Sequence, residues 1–239
     1  MKFPAVLVHV KKKVLALPPS AEHNAAPAVG DKARRTRSRS MLASAIRLMA
    51  IGVLQRNLLD WYARERRDLP WRTVRDPYAT LVSETMLQQT RIQTVLPYYE
   101  RFMRELPTVH ALAEAPEERV LALWSGLGYY RRARMLRAAA KRVAAVYGGQ
   151  IPQDTNDLRE LEGVGAYTAG AIASIAFGRR AALVDGNVAR VLARLFAIEE
   201  DIKSTRGKAH LWKLAEKLVM AADGNPGDWN QALMELGAT

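Results

Sequence analysis

Residues 154–178, DTNDLRELEGVGAYTAGAIASIAFG, leave little freedom in local structure. Asp154 or Thr155 can cap a short helix that runs to Leu161. Glu162-Gly163-Val164-Gly165 then makes a tight turn, since two glycines around one apolar residue reach backbone angles that other residues resist. The following helix is built from small residues (Ala166, Thr168, Ala169, Gly170, Ala171, Ala173, Ser174), so a neighbouring helix can approach it closely. The turn's free N–H groups, at the N-terminus of a helix, form a site for one phosphate. A plain helical hairpin is the alternative, and a Gly-apolar-Gly turn alone does not separate the two.

The rest of the chain repeats the helical theme. Apolar residues recur at three and four from Leu54 through Leu58, Trp61 and Tyr62, then through Leu81, Thr85 and Leu87. The same spacing predicts helices over 92–105, 116–125, 129–147, 155–161, 166–177, 186–198, 208–222 and 228–236. No run of alternating Val, Ile and Thr marks a strand, and the fold class is all-α. Residues 1–40 have no apolar period and read as a basic, disordered tail, a mis-extended start or a leader, a segment that extends to about residue 50. The stretch 41–54 is too short to span a membrane and reads as an ordinary helix.

Composition removes several chemistries. The 239 residues contain no cysteine, which excludes a disulfide, a Cys-ligated zinc, a thiol nucleophile and a Cys-held iron–sulfur cluster. The four histidines are scattered without metal-ligand spacing. The net charge of +12 points to a polyanionic partner, but +7 of it lies in residues 1–40. Nucleic-acid binding in the remainder must therefore rest on where the charges lie.

Three further segments carry chemistry. In 126–142, GLGYYRRARMLRAAAKR, Arg134, Arg137 and Lys141 share a helical face beside Tyr129 and Tyr130. That pattern suits a phosphate track with a ring that can wedge between bases, or else a solvated face over two core tyrosines. In 83–91, SETMLQQTR, Glu84 is an acid among Leu81, Val82, Met86 and Leu87, where its pKa would be raised toward neutrality, unless it lies on the surface. Gln88 and Gln89 can donate and accept at base edges. In 181–195, Asp185 precedes a helix, as an N-cap or as a carboxylate facing a forming sugar cation.

Together LPWR (69–72), SETMLQQTR (83–91), LWSGLGYYRRAR (123–134), LEGVGAYTAG (161–170), VDGNVARVLAR (184–194) and NQALMELGA (230–238) resemble the helix–hairpin–helix DNA glycosylases, and within them the adenine glycosylases. The resemblance covers about residues 55–239. It implies a six-helix barrel over 76–183, holding the hairpin at about 155–177, and a second helical domain from 51–75 with 184–239. The implied partner of this monomer is double-stranded DNA containing adenine opposite 8-oxoguanine or guanine, with no membrane role and with the base extruded for reaction. Glu84 takes the position of the family's catalytic acid and Asp185 that of its second carboxylate, with Tyr167 and Asn187 beside them. Trp71, Arg72, Leu87, Gln231 and Met234 match the adenine pocket. Gln89 and Tyr129 match strand-filling residues, next to Gln88, while Gly163, Val164 and Gly165 match the phosphate grip and Arg134 the basic track.

Tyr167 stands where lyase-active relatives carry a lysine, and Ala189 where some adenine glycosylases carry a trappable one, so the resemblance implies hydrolysis without efficient strand cleavage. It also implies four cysteines holding a 4Fe–4S cluster after the LGA of 236–238, and then a domain that reads 8-oxoguanine. This chain ends at Thr239 and lacks both, so it reads as a fragment, a shifted frame or a degraded copy. The other functional readings are a non-catalytic DNA-binding remnant and a thymine or uracil mismatch glycosylase.

Overall fold

A computed structural model describes residues 51–239, so the tail and the start of the 41–54 helix lie outside the described residues. Every regular element among those residues is helical. In chain order they are α1 (51–65), α2 (Pro70–Thr73), α3 (Pro77–Leu87), α4 (Ile92–Glu105), α5 (Val109–Glu114) and α6 (Glu117–Trp124). There follow α7 (Arg131–Val146), α8 (Thr155–Arg159), α9 (Ala166–Ala171), α10 (Gly186–Leu195), α11 (Thr205–Met220) and α12 (Pro226–Ala238). Two of these, α2 and α5, are too short for periodicity to announce them. The helix expected over 166–177 is composite, because α9 passes at Ile172–Ala176 into a π-helical segment. No described helix is long and apolar enough to cross a membrane.

The described residues fall into two compact units. One comprises 67–185 with 225–231, and the other 51–66, 186–224 and 232–239. The sequence-based division placed this boundary at 75/76, whereas here the turn before α2 and the first part of α12 join the larger unit.

At the centre of the larger unit is α3. Asp76 caps it by accepting from Tyr78 N at 2.9 Å, and Pro77 opens it with a preset φ. Nine consecutive residues, Tyr78 to Met86, are buried, so this helix is enclosed on every face. Around it pack Val95, Tyr99 and Phe102 of α4, Trp124 of α6, and Leu136, Ala139 and Val143 of α7. Phe102 meets Trp124 edge-on at 6.1 Å and Trp71 meets Tyr99 at 5.1 Å, the offset geometry that ring quadrupoles favour.

The second unit is simpler. Leu54, Leu58 and Tyr62 of α1, Val188, Leu192 and Leu195 of α10, and Leu211, Ala215 and Leu218 of α11 form its interior. Buried Gln55 donates through Nε2 to the Leu218 carbonyl at 2.9 Å, while its Oε1 is buried without a hydrogen-bond partner among the described residues. Ser204 caps α11 by accepting from Gly207 N.

Candidate active site

The only charged residue of α3 is Glu84, and it is 6% exposed. The Tyr167 hydroxyl, from α9, donates to Glu84 Oε2 at 2.8 Å. Burial drives the Glu84 carboxyl up from its ordinary value to about 7. The Tyr167 hydrogen bond opposes that rise, the charge of Asp185 adds to it, and Arg72 opposes it. Burial likewise raises Tyr167, with further contributions from Glu84 and Asp185, so its hydroxyl stays protonated and remains a donor. Four groups far apart in sequence thus act on one another within the larger unit.

Asp185 reaches this cluster because its approach segment is tied down. At Gly170 a side chain would collide with the Ala182 carbonyl, so glycine lets residues 181–183 pass directly over the helix carrying Tyr167. Asn230, buried at the start of α12, donates to Ser174 Oγ at 2.9 Å and to the Ala181 carbonyl at 2.8 Å. One side chain therefore links the π segment to the strand-like run before Asp185. The π turn interrupts the regular helix at this junction, a feature often found near functional sites.

The other expected residues divide between the units. Trp71 is buried against Tyr99, and Arg72 donates to the Arg67 carbonyl at 3.1 Å. Leu87 is half-buried at the end of α3, Gln88 follows as its C-cap, and Gln231 is buried. Asn187 and Met234 belong to the second unit. There Asn187 accepts from Arg190 and lies against Gly237, where a side chain would run into it.

The hairpin forms as read from its glycines. Asp154, not Thr155, caps α8, accepting from Asn156 N at 2.8 Å. Gly163 has φ +80°, which glycine adopts without strain, and Met135 is 3.0 Å from where a Cβ would sit. The Val164 side chain is buried and anchors the turn, and its N–H donates to the Leu161 carbonyl at 3.1 Å, so this N–H is not among the free donors expected of the turn. Gly165 caps α9 in an extended conformation, and a Cβ there would meet nothing within 4 Å.

Basic residues of α7 have partners within the larger unit. Arg134 pairs with Glu117 of α6 at 2.9 Å and Arg137 donates to the Ala115 carbonyl at 2.7 Å, while Arg142, off that face, pairs with Glu160 at 3.6 Å. The segment 126–142 itself contains no acid, so these partners are not legible in it. Gln89 and Tyr129 are exposed, both at positive φ, +58° and +50°.

Sequence reasoning gave no role to Asn230 or Arg132. A signal existed for Arg132, which precedes Leu136, Ala139 and Val143 at four, seven and eleven and so lies on the buried stripe of α7.

Comparison with known proteins adds independent findings. A profile of the HhH-GPD superfamily of base excision DNA repair proteins matches residues 82–217. The adenine DNA glycosylase of Rattus norvegicus is 52% identical over 198 residues, covering 79% of this chain and 38% of that protein. That of Arabidopsis thaliana is 46% identical over 212 residues, covering 78% of this chain and 33% of that protein. The chain therefore spans less than two fifths of the length of these curated relatives. A solved thermostable thymine-DNA glycosylase superposes with a TM-score of 0.68 at 31% identity, covering 79% of this chain and 86% of its own. An endonuclease III in a non-covalent DNA complex shares the fold, with a TM-score of 0.62 at 22% identity over 80% of this chain and 84% of its own.

Proposed function

The chain belongs to the HhH-GPD superfamily of base excision DNA repair proteins and has its all-α fold, and we propose that it hydrolyses the N-glycosidic bond of adenine mispaired with 8-oxoguanine or guanine in duplex DNA. The observation that carries this reading is the buried Glu84 carboxyl, with its pKa near 7, hydrogen-bonded to Tyr167 and within electrostatic reach of Asp185.

Adenine leaves poorly as an anion. A protonated Glu84 delivers its proton to N7, the C1′–N9 bond breaks, and the bonding pair leaves with neutral adenine. The sugar is left as an oxocarbenium-like cation. Asp185 stabilises that cation, and Glu84, now a carboxylate, takes a proton from the water that adds to C1′. Two carboxyls flanking an anomeric carbon is the general logic of glycoside hydrolysis. Tyr167 orients Glu84, and because it is a phenol and not an amine it forms no Schiff base, so we expect no efficient strand cleavage. Within the larger unit, Trp71, Arg72, Leu87 and Gln231 are assigned to the purine by the family resemblance. A 4Fe–4S cluster needs thiolates, and 239 residues without cysteine supply none, so the group does not fit the residues present.

Single-turnover base release tests the reading, on duplexes carrying adenine opposite 8-oxoguanine or guanine and thymine or uracil opposite guanine. Release confined to the adenine duplexes supports it. Release confined to thymine or uracil favours the second reading, to which the superposition on a thymine-DNA glycosylase lends weight. Binding without any release identifies a non-catalytic remnant.

The hairpin carries its own prediction. The fold accommodates a side chain at Gly165, so Gly165→Leu should leave thermal stability intact. It should weaken binding to every duplex alike and lower the slope of log affinity against log salt by about one phosphate contact. An effect limited to one mispair would contradict a backbone grip on phosphate.

A further inference from the structure

A single guanidinium ties together the two turns that bear Gln89 and Tyr129. The Arg132 side chain is buried at the start of α7. Its Nη1 donates to the carbonyls of Thr85 at 3.1 Å and Met86 at 2.8 Å, and also to that of Gln88. These are carbonyls that the end of α3 leaves without helical partners. Its Nη2 donates to Thr90 Oγ1 at 3.1 Å and to the Gly128 carbonyl at 3.2 Å. The guanidinium carbon also lies 5.2 Å from the Tyr129 ring centroid and 5.5 Å from that of Trp124, whose Nε1 donates to the same Gly128 carbonyl at 3.0 Å.

The two tied turns are also the strained ones. Of three non-glycine residues at positive φ among the described residues, two are Gln89 and Tyr129, and both side chains are exposed. Left-handed backbone persists at such residues only where the surroundings enforce it. An arginine that merely capped α3 would satisfy Thr85, Met86 and Gln88 and stop there. Arg132 goes on to the 127–129 turn, spending its fork on both sides.

We infer that Arg132 is a positioning residue for base extrusion, holding the Gln89 and Tyr129 turns in one fixed arrangement so that both side chains enter the duplex together. This rests on the proposed base-release function, which needs an extruded base. Lysine keeps the charge but concentrates its donors at one point, so Arg132→Lys holds one turn and releases the other.

The test is extrusion itself, read by the fluorescence of 2-aminopurine placed at the target position opposite 8-oxoguanine, with the full chain. Arg132→Lys should lower the extruded fraction about tenfold, the loss expected for one or two charge-assisted hydrogen bonds. Affinity for undamaged duplex and the pH midpoint of base release should not move. Thr90→Val removes only one Nη2 partner and should reduce extrusion in the same direction by a smaller factor; it decides the matter if Arg132→Lys does not fold. Arg137→Lys, on the same helix, should match wild type. Unchanged extrusion in folded Arg132→Lys, or in Thr90→Val if the lysine variant is unfolded, would overturn the inference. A wild type that extrudes the base without releasing it would overturn the chemistry and leave the Arg132 comparison in force. A wild type that extrudes nothing would overturn both.

Discussion

Glu84→Gln is expected to lower single-turnover adenine release by about a thousandfold or more, the upper part of the range for loss of a general acid. Size and hydrogen-bonding outline barely change, and the Tyr167 hydroxyl still finds an oxygen to donate to. Only the transferable proton is lost. Affinity for duplex DNA should stay within roughly twofold, because phosphate contacts made elsewhere dominate binding. The pairing of a lost rate with retained binding is what separates a catalytic acid from a packing residue. A variant that kept a large share of the rate would reassign the proton donor, and one that lost binding in proportion would make Glu84 a structural carboxyl.

Asp185→Asn should cost somewhat less, about a hundredfold to a thousandfold, as expected when a fixed charge facing a developing cation is neutralised. It has a second signature. The Asp185 charge helps to hold the Glu84 carboxyl high, so removing it lowers the Glu84 pKa. The alkaline fall in activity of the variant should therefore begin at a lower pH than in wild type. A slower variant with an unmoved midpoint would place Asp185 away from the acid it is argued to serve.

What the sequence announced and what it concealed follow one physical line. The hairpin at 154–178 was legible because glycine and small residues act locally, through backbone angles and through the room they leave. Helix periods over 92–105 and 186–198 were legible for the same reason, since an amphipathic stripe is a local pattern, although the second helix ends at Leu195. The burial of Glu84 was foreshadowed by its apolar neighbours in α3, and the hydrogen bond from Tyr167, 83 positions later, needed the fold. The partners of the α7 cations, Glu117, Ala115 and Glu160, were concealed because they lie on other segments. Asn230 and Arg132 were missed for the matching reason: each acts by joining segments distant in sequence, and a lone polar residue in an apolar stripe does not say what it will meet.

Glu84 is most directly interrogated by the pH dependence of kcat/KM for adenine release, which reports groups on the free protein. The active form is the protonated one, and its pKa is raised from 4.5 to about 7. Activity should therefore survive through the slightly acidic range and up to neutrality, then fall tenfold for each pH unit above about 7. A rate that stays flat from pH 6 to 9, or that climbs with pH, would mean that no carboxyl of this pKa supplies the proton.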